Sequence, residues 1–275
     1  MIYRYLDVTR DVHIVTCTLS NPPHHTLTAG GVREIFRVLD DVEADTSVRA
    51  LVFTGAGEGV FIAHYEVGEL SDSAQRNIEA GASADSSDAS EPALSEMHQL
   101  CLRLERVSAI TIAAMNGKAA GGGFELSLAC DFRLLADGRY RVGLPETSIG
   151  IIPGAGGTQR YARLLGPARA LDPTLPPHLL PPAAAPQLGL VHRLYPQDRF
   201  REEAQAFAAD IASRAPIALA AAKQAIQQGS RLPLDESLLL EQRCFERTMR
   251  SKDAAGAMRA YLGGAGKTPY EWQGE

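Results

Sequence analysis

Ala119-Ala120-Gly121-Gly122-Gly123-Phe124-Glu125-Leu126 is the stretch on which the reading of this chain turns. Consecutive glycines carry no side chains, so the backbone can turn sharply and a ligand can come close to the main chain. The run from Phe124 to Cys130 that follows predicts a helix, which places the amides of Gly122 and Gly123 at its N-terminus. Unpaired N–H groups and the helix dipole favour negative charge at that point. Ahead of the glycines, Ala109 to Met115 is an apolar, β-branched run that predicts a buried strand. Strand, glycine turn and helix with an acid in its first turn form a layout that can hold an oxyanion. A tight strand-to-helix turn that only packs is the alternative.

Working outward, the alternation of strands and helices around this point predicts an α/β layered core. Asp11 to Ser20 alternates as a strand that Asn21-Pro22-Pro23 breaks. Gly31 to Val42 spaces Val32, Ile35, Phe36, Leu39 and Val42 as an amphipathic helix, and Val48 to Gly55 reads as a buried strand. Glu96 to Val107 is a second amphipathic helix, with Met97, Leu100, Cys101 and Leu104 on one face. Between them, Ser71 to Pro92 predicts a mobile loop, because Ala80 to Ser90 is small, polar and acidic. Residues 171–186 hold six prolines. Proline inside a helix costs about 3 kcal/mol or more, so an irregular segment is expected there. Residues 1–200 then form the core and 201–275 a helical element, with helices over Ala204–Ala212, Ala215–Gln228 and Asp235–Arg250.

The chain has 275 residues, 45% apolar and 22% charged, which is ordinary for a globular protein with one large core. Its formal charge of −6 argues against a general polyanion-binding surface, and so against nucleic acid as a partner. No apolar run is long enough for a membrane span, and the N-terminus lacks the apolar core of a secretory signal. The four cysteines stand at 17, 101, 130 and 244, without metal-ligand spacing, which predicts reduced thiols, no metal site and a cytoplasmic location. Three look-alike motifs fail. Gly263 to Thr268 resembles the end of a phosphate-binding loop, but Tyr261 replaces its first glycine and no helix can follow. Gly154-Ala155-Gly156-Gly157 has Gln159 where a dinucleotide fingerprint needs glycine. His24-His25 lacks partner ligands at metal spacing.

A second stretch, Pro145-Glu146-Thr147-Ser148-Ile149-Gly150-Ile151-Ile152-Pro153-Gly154-Ala155-Gly156-Gly157-Thr158-Gln159-Arg160, adds a family to these readings. Together with Asn116 to Asp131 it resembles the two signatures of the crotonase superfamily, in its enoyl-CoA hydratase and isomerase branch. Tyr161 stands where that family often has Leu. The resemblance covers nearly the whole chain. It implies a core built as a repeated ββα spiral and a C-terminal helical element that packs between subunits of a homotrimer or a dimer of trimers.

The resemblance also assigns candidate roles. Glu125 and Glu146 match the acid/base pair; which is acid and which base stays open at this point. Gly122 matches one oxyanion-hole donor and Tyr65 the other, although His64-Tyr65-Glu66 replaces the usual Gly-Ala-Asp. Any residue but proline has a main-chain N–H, so Tyr65 can still donate. Its ring either narrows the acyl site, adds a hydroxyl to the chemistry, or only packs. Gly154 matches the glycine whose amide helps hold the catalytic water. The triple-glycine turn at Gly121, together with His25, Thr26, Leu27, Ala63 and His64, is expected to line the coenzyme A thioester, and Lys267 is a counterpart for a phosphate contact. The implied activity is hydration of a 2-enoyl-CoA to a 3-hydroxyacyl-CoA, with coenzyme A as part of the substrate and no other cofactor. The alternatives are double-bond isomerisation, another enolate reaction such as decarboxylation, and a non-catalytic CoA-binding paralogue.

Overall fold

A computed structural model describes residues 2–81, 93–176, 178–265 and 270–275. A hairpin of β1 (Leu6–Asp11) and β2 (Ile14–Leu19) leads into α1 (Ala29–Ala44), β3 (Ala50–Gly55) and the short β4 (Val60–Ile62). Next come α2 (Val67–Glu79), α3 (Glu96–Arg106), β5 (Ile110–Met115), β6 (Lys118–Ala120) and α4 (Gly122–Ala129). β7 (Phe132–Asp137) and β8 (Val142–Gly143) precede a 3-10 turn over Glu146–Ile149 and α5 (Gly157–Leu165). The short α6 (Pro167–Leu171) and α7 (Ala184–Gln187) then lead to β9 (Arg193–Pro196). Helices α8 (Phe200–Ala212), α9 (Pro216–Gly229), α10 (Leu234–Met249) and α11 (Lys252–Ala260) close the chain.

The strands divide between two sheets. One runs β1-β2-β3-β5-β7-β9, antiparallel in the first hairpin and parallel thereafter; the other is β4-β6-β8, all parallel. From β3 on, each repeat sends its first strand to the large sheet and its second to the small one, then crosses back by helix. This is the ββα spiral that the resemblance implied.

The central strands are covered on both faces, which is why they read as unbroken apolar runs. All six residues of β5 are buried. Val52, Ile112 and Leu134 face Phe200, Ala204 and Ala208 of α8, while Leu51, Phe53, Ala113 and Met115 join α1, α3 and α4 in the main core. Behind this, Lys223 of α9 pairs with Asp131 at 2.7 Å and donates to the carbonyls of Leu104 and Ala109.

Two expectations need correction. Ser71 to Glu79 is helical, as the greater part of α2, and not a loop. Glu66 caps this helix by accepting from the Gly68 amide; the apolar stripe of Val67, Leu70, Ala74 and Ile78 is not buried. Positions 82–92, the rest of the expected mobile loop, lie outside the described residues. The strand expected over Asp11–Ser20 begins only at Ile14: Asp11 ends β1, and Val12 turns with φ of 47°. In the proline-rich stretch, α6 stops at Leu171 and Leu180 bridges to Val142. The four-residue α7 keeps Pro186 within its first turn, where no amide bond is lost.

Candidate active site

The turn from β6 into α4 is built as the glycines require. Gly121 has φ of 51°, a conformation that costs glycine little, and its amide donates to the Gly143 carbonyl at 2.9 Å. A Cβ on Gly122 would lie 2.9 Å from Tyr65 Cβ and 3.6 Å from the Tyr65 nitrogen, so only glycine lets α4 begin this close to the neighbouring strand. Gly122 is the first residue of α4, whose opening amides have no partner within the helix.

Tyr65 follows β4. The Leu27 amide donates to the His64 carbonyl at 2.9 Å, and the Glu66 amide donates to the Leu27 carbonyl at 2.8 Å. Leu27 therefore bonds on either side of Tyr65, which leaves the Tyr65 N–H on the opposite edge. Its phenol bonds to Glu69, and burial first, then that bond, push the hydroxyl well above the usual tyrosine range.

Glu125 sits in the first turn of α4, 2% exposed. Its Oε1 accepts from the amides of Ala155 and Gly157, each at 2.7 Å. Burial raises its pKa, while those amides, the Arg160 charge and the Gly154 amide pull it back. Glu146, 8% exposed, opens the 3-10 turn. Burial, and then the charge of Glu125, push it up to about 7. Its Oε2 is buried without a hydrogen-bond partner. Two carboxyls therefore share one site: Glu125 accepts from two amides of another segment, and Glu146 only from its own backbone amide.

Two cavities meet here. The larger, about 330 Å³, is lined by Tyr65, Gly122, Glu125, Glu146 and Gly154, with Val32, Leu70, Met97, Ile151 and Ile152 as apolar walls. The other, about 200 Å³, is lined by Ala63, His64, Tyr65, Gly121, Gly122 and Glu146 among others. All five residues expected in the chemistry thus border the larger cavity. Ala63, His64 and Gly121 border the second.

His25, Thr26 and Leu27 lie just beyond, around a recess of their own. Their main chain is engaged within the protein: the His25 amide donates to Asn21 and the Ala63 amide to His25. Thr26 donates to Glu66 Oε2 at 2.7 Å, tying this loop to the cap of α2. Lys267 lies outside the described residues. The sequence reading missed the amides of Ala155 and Gly157 as the holders of Glu125. The signal was present in Pro153-Gly154-Ala155-Gly156-Gly157, a turn that leads directly into α5.

The spiral core is that of the crotonase superfamily. A model of the enoyl-CoA hydratase/isomerase family matches residues 9–274, and the chain belongs to that family. The short-chain-enoyl-CoA hydratase of Clostridium acetobutylicum is 31% identical over 250 residues, covering 90% of this chain and 91% of that one. The 2,3-dehydroadipyl-CoA hydratase of Escherichia coli is 33% identical over 259 residues, covering 94% and 95%. Among solved structures, an enoyl-CoA hydratase from Bacillus anthracis superposes with a TM-score of 0.87 at 31% identity, covering 99% of this chain and 100% of that one. No helix among the described residues is long and apolar enough to cross a membrane.

Proposed function

We propose that the protein hydrates the 2,3 double bond of an enoyl-CoA thioester. The observation that carries this reading is that two differently supported carboxyls, Glu125 and Glu146, line the cavity that Gly122 and Tyr65 also line. The thioester oxygen is received by the Gly122 and Tyr65 amides, which stabilise the enolate-like charge that develops when water attacks C3. Glu125, whose carboxylate form the Ala155 and Gly157 amides support, takes a proton from the water with Gly154 beside it. Glu146, which keeps its proton to about pH 7, delivers that proton to C2. The water oxygen bonds to C3, the Glu146 proton to C2 and the π bond is lost; Glu125 is left protonated and Glu146 ionised, and return of the proton from Glu125 to Glu146 through solvent restores the pair.

Coenzyme A enters as part of the substrate, and no further cofactor takes part in these steps. We also propose a homotrimer, either alone or paired as two trimers. The large side chains that α10 exposes, Leu234, Leu238, Leu239 and Phe245, support an assembled state.

The test is loss of the conjugated enoyl absorbance of crotonyl-CoA, with product analysis from both 2-enoyl and 3-enoyl thioesters. Hydration by the wild type is expected, with turnover lowered by about 10²–10⁴ in Glu125→Gln and in Glu146→Gln. Migration of the double bond without water addition would replace this reading with isomerisation. Thermal stabilisation by the thioester without turnover would replace it with a non-catalytic CoA binder.

A further inference from the structure

Arg160, early in α5, is a nearly buried cation, with 13% of its side chain exposed. A charge in such a place needs a counter-charge and acceptors for its N–H groups. Glu105 of α3, 7% exposed, supplies the counter-charge. Its Oε1 accepts from Arg160 Nε at 2.8 Å and lies 2.7 Å from Nη2. The other oxygen of Glu105 meets Arg231, which stands between α9 and α10. The remaining arm of Arg160, Nη1, donates to the Ala155 carbonyl at 3.0 Å.

That carbonyl belongs to the peptide joining Ala155 to Gly156. On either side of this peptide are the amides of Ala155 and Gly157, which donate to Glu125 Oε1 at 2.7 Å each. The orientation of the peptide thus sets where both amides aim. Glycine makes room for both partners. A Cβ on Gly156 would lie 2.3 Å from Arg160 Nη1, and a Cβ on Gly157 would lie 2.9 Å from Glu125 Oε1. Within three residues the turn is bonded to a guanidinium and to a carboxyl of the site.

We propose that Arg160 is a positioning residue for Glu125: by tying the Ala155–Gly156 peptide to Glu105 of α3, its guanidinium aims the Ala155 and Gly157 amides at one carboxylate oxygen. The effect on catalysis rests on the hydratase reading, in which Glu125 takes the proton of water and Gly154, beside that water, directly precedes the tied peptide. The two amides and the Arg160 charge act in the same direction and favour the ionised carboxyl. The other ionisable groups that face Glu125 are Glu146 of the 3-10 turn, Cys101 of α3, Tyr161 of α5, and Tyr65 and Glu96 on the cavity wall, with Glu105 behind Arg160.

Arg160→Lys keeps the charge and gives up the fork, since one nitrogen cannot stand where Nη1 and Nη2 both stand. With crotonyl-CoA, kcat is expected to fall about 10- to 100-fold with little change in KM, because a misaimed base slows chemistry more than binding. The acid limb of the pH–kcat profile is expected to move up by about one pH unit, because a carboxyl with a weaker amide grip keeps its proton to higher pH. An acid limb that superposes on the wild type, with or without a fall in Tm, would show that Arg160 only fastens α5 to α3 and would overturn the proposal.

Two further measurements need no turnover. The infrared titration of the Glu125 carboxyl, its bands assigned by their loss in Glu125→Gln, should have a midpoint about one pH unit higher in Arg160→Lys than in the wild type. Equal midpoints would refute the role. Should the lysine variant not fold, a crystal structure of the wild type decides: Nη1 is expected on the Ala155 carbonyl with Glu125 on both amides. A guanidinium turned away from that carbonyl, with the grip on Glu125 intact, would refute it. Absence of crotonyl-CoA hydration by the wild type would sink the hydratase reading alone, leaving the infrared titration to decide what Arg160 does to Glu125.

Discussion

Replacing Glu146 with glutamine should remove activity and, above neutral pH, make the protein more stable. Burial and the charge of Glu125 raise the Glu146 carboxyl from 4.5 to about 7 in the folded chain. A carboxyl with a raised folded pKa opposes folding as pH rises: the unfolded chain gives up its proton from about 4.5, and the folded chain only near 7. Stability therefore falls across that window and stays low above it. At about 1.36 kcal/mol per pH unit, the loss is about 1 kcal/mol at pH 5 and about 3 kcal/mol at pH 8. Glutamine does not titrate. Its own burial cost, an amide in a site with few acceptors, is the same at both pH values and cancels when the two are compared. The gain of Glu146→Gln over wild type should thus grow by about 2 kcal/mol between pH 5 and pH 8, or about 5 °C in Tm for a chain of this size. Thermal unfolding followed by circular dichroism at both pH values gives the difference directly. A Tm offset that is the same at pH 5 and pH 8 would show that Glu146 ionises as if in water, and would remove the physical basis for making it the proton donor.

Two further substitutions probe separate parts of the structure. In Gly122→Ala the added methyl would meet Tyr65 Cβ at 2.9 Å, so one of the two amide-bearing segments must move; kcat with crotonyl-CoA should fall by about 10²–10³ while the circular dichroism spectrum is kept, and wild-type turnover would exclude this amide pair from the reaction. Lys223→Met strands the buried carboxylate of Asp131, 2.7 Å from the ammonium, and unpairs the carbonyls of Leu104 and Ala109. That change should cost about 3–5 kcal/mol, read as a fall in the denaturation midpoint in urea, and a loss below about 1 kcal/mol would show that the pair does not hold α9 to the core.

How far the sequence could be read depended on the range over which each feature is encoded. The turn at Gly121 and the helix behind it are local: glycines followed by an apolar run specify them, and α4 starts at Gly122 as expected. Buried parallel strands such as β5 announce themselves by unbroken apolar runs. Helix α2 was misread because the polar, acidic composition after Glu79 was extended back over its sparse stripe of Val67, Leu70, Ala74 and Ile78, and β1 was not read at all because four of its six residues are exposed and polar. At the site, the identities of Glu125 and Glu146 were legible through motif spacing. The grip on Glu125 was legible only as the glycine-rich turn before α5, since the Ala155 and Gly157 amides come from 30 and 32 residues away and the turn does not name the carboxyl they meet. The hold of Arg160 on the Ala155 carbonyl is visible only in space.

The asymmetry between the two glutamates follows from where the chain puts its helix ends. Gly156, at φ of 95°, caps α5, and the amides of Ala155 and Gly157 at that N-terminus both point to one oxygen of Glu125. A helix N-terminus and two short hydrogen bonds favour the charged form of the carboxyl they face. Glu146 opens a single 3-10 turn, and its Oε2 meets no amide. Where two carboxyls share a cavity, the first negative charge settles on the better supported one and holds the proton on its neighbour. Backbone geometry around Gly154–Gly157, and not the chemistry of two identical side chains, therefore separates an acceptor of protons from a donor. Lengthening or shortening that turn by one residue would turn the amides away from Glu125 and let the pair titrate as equals, even with both glutamates left in place.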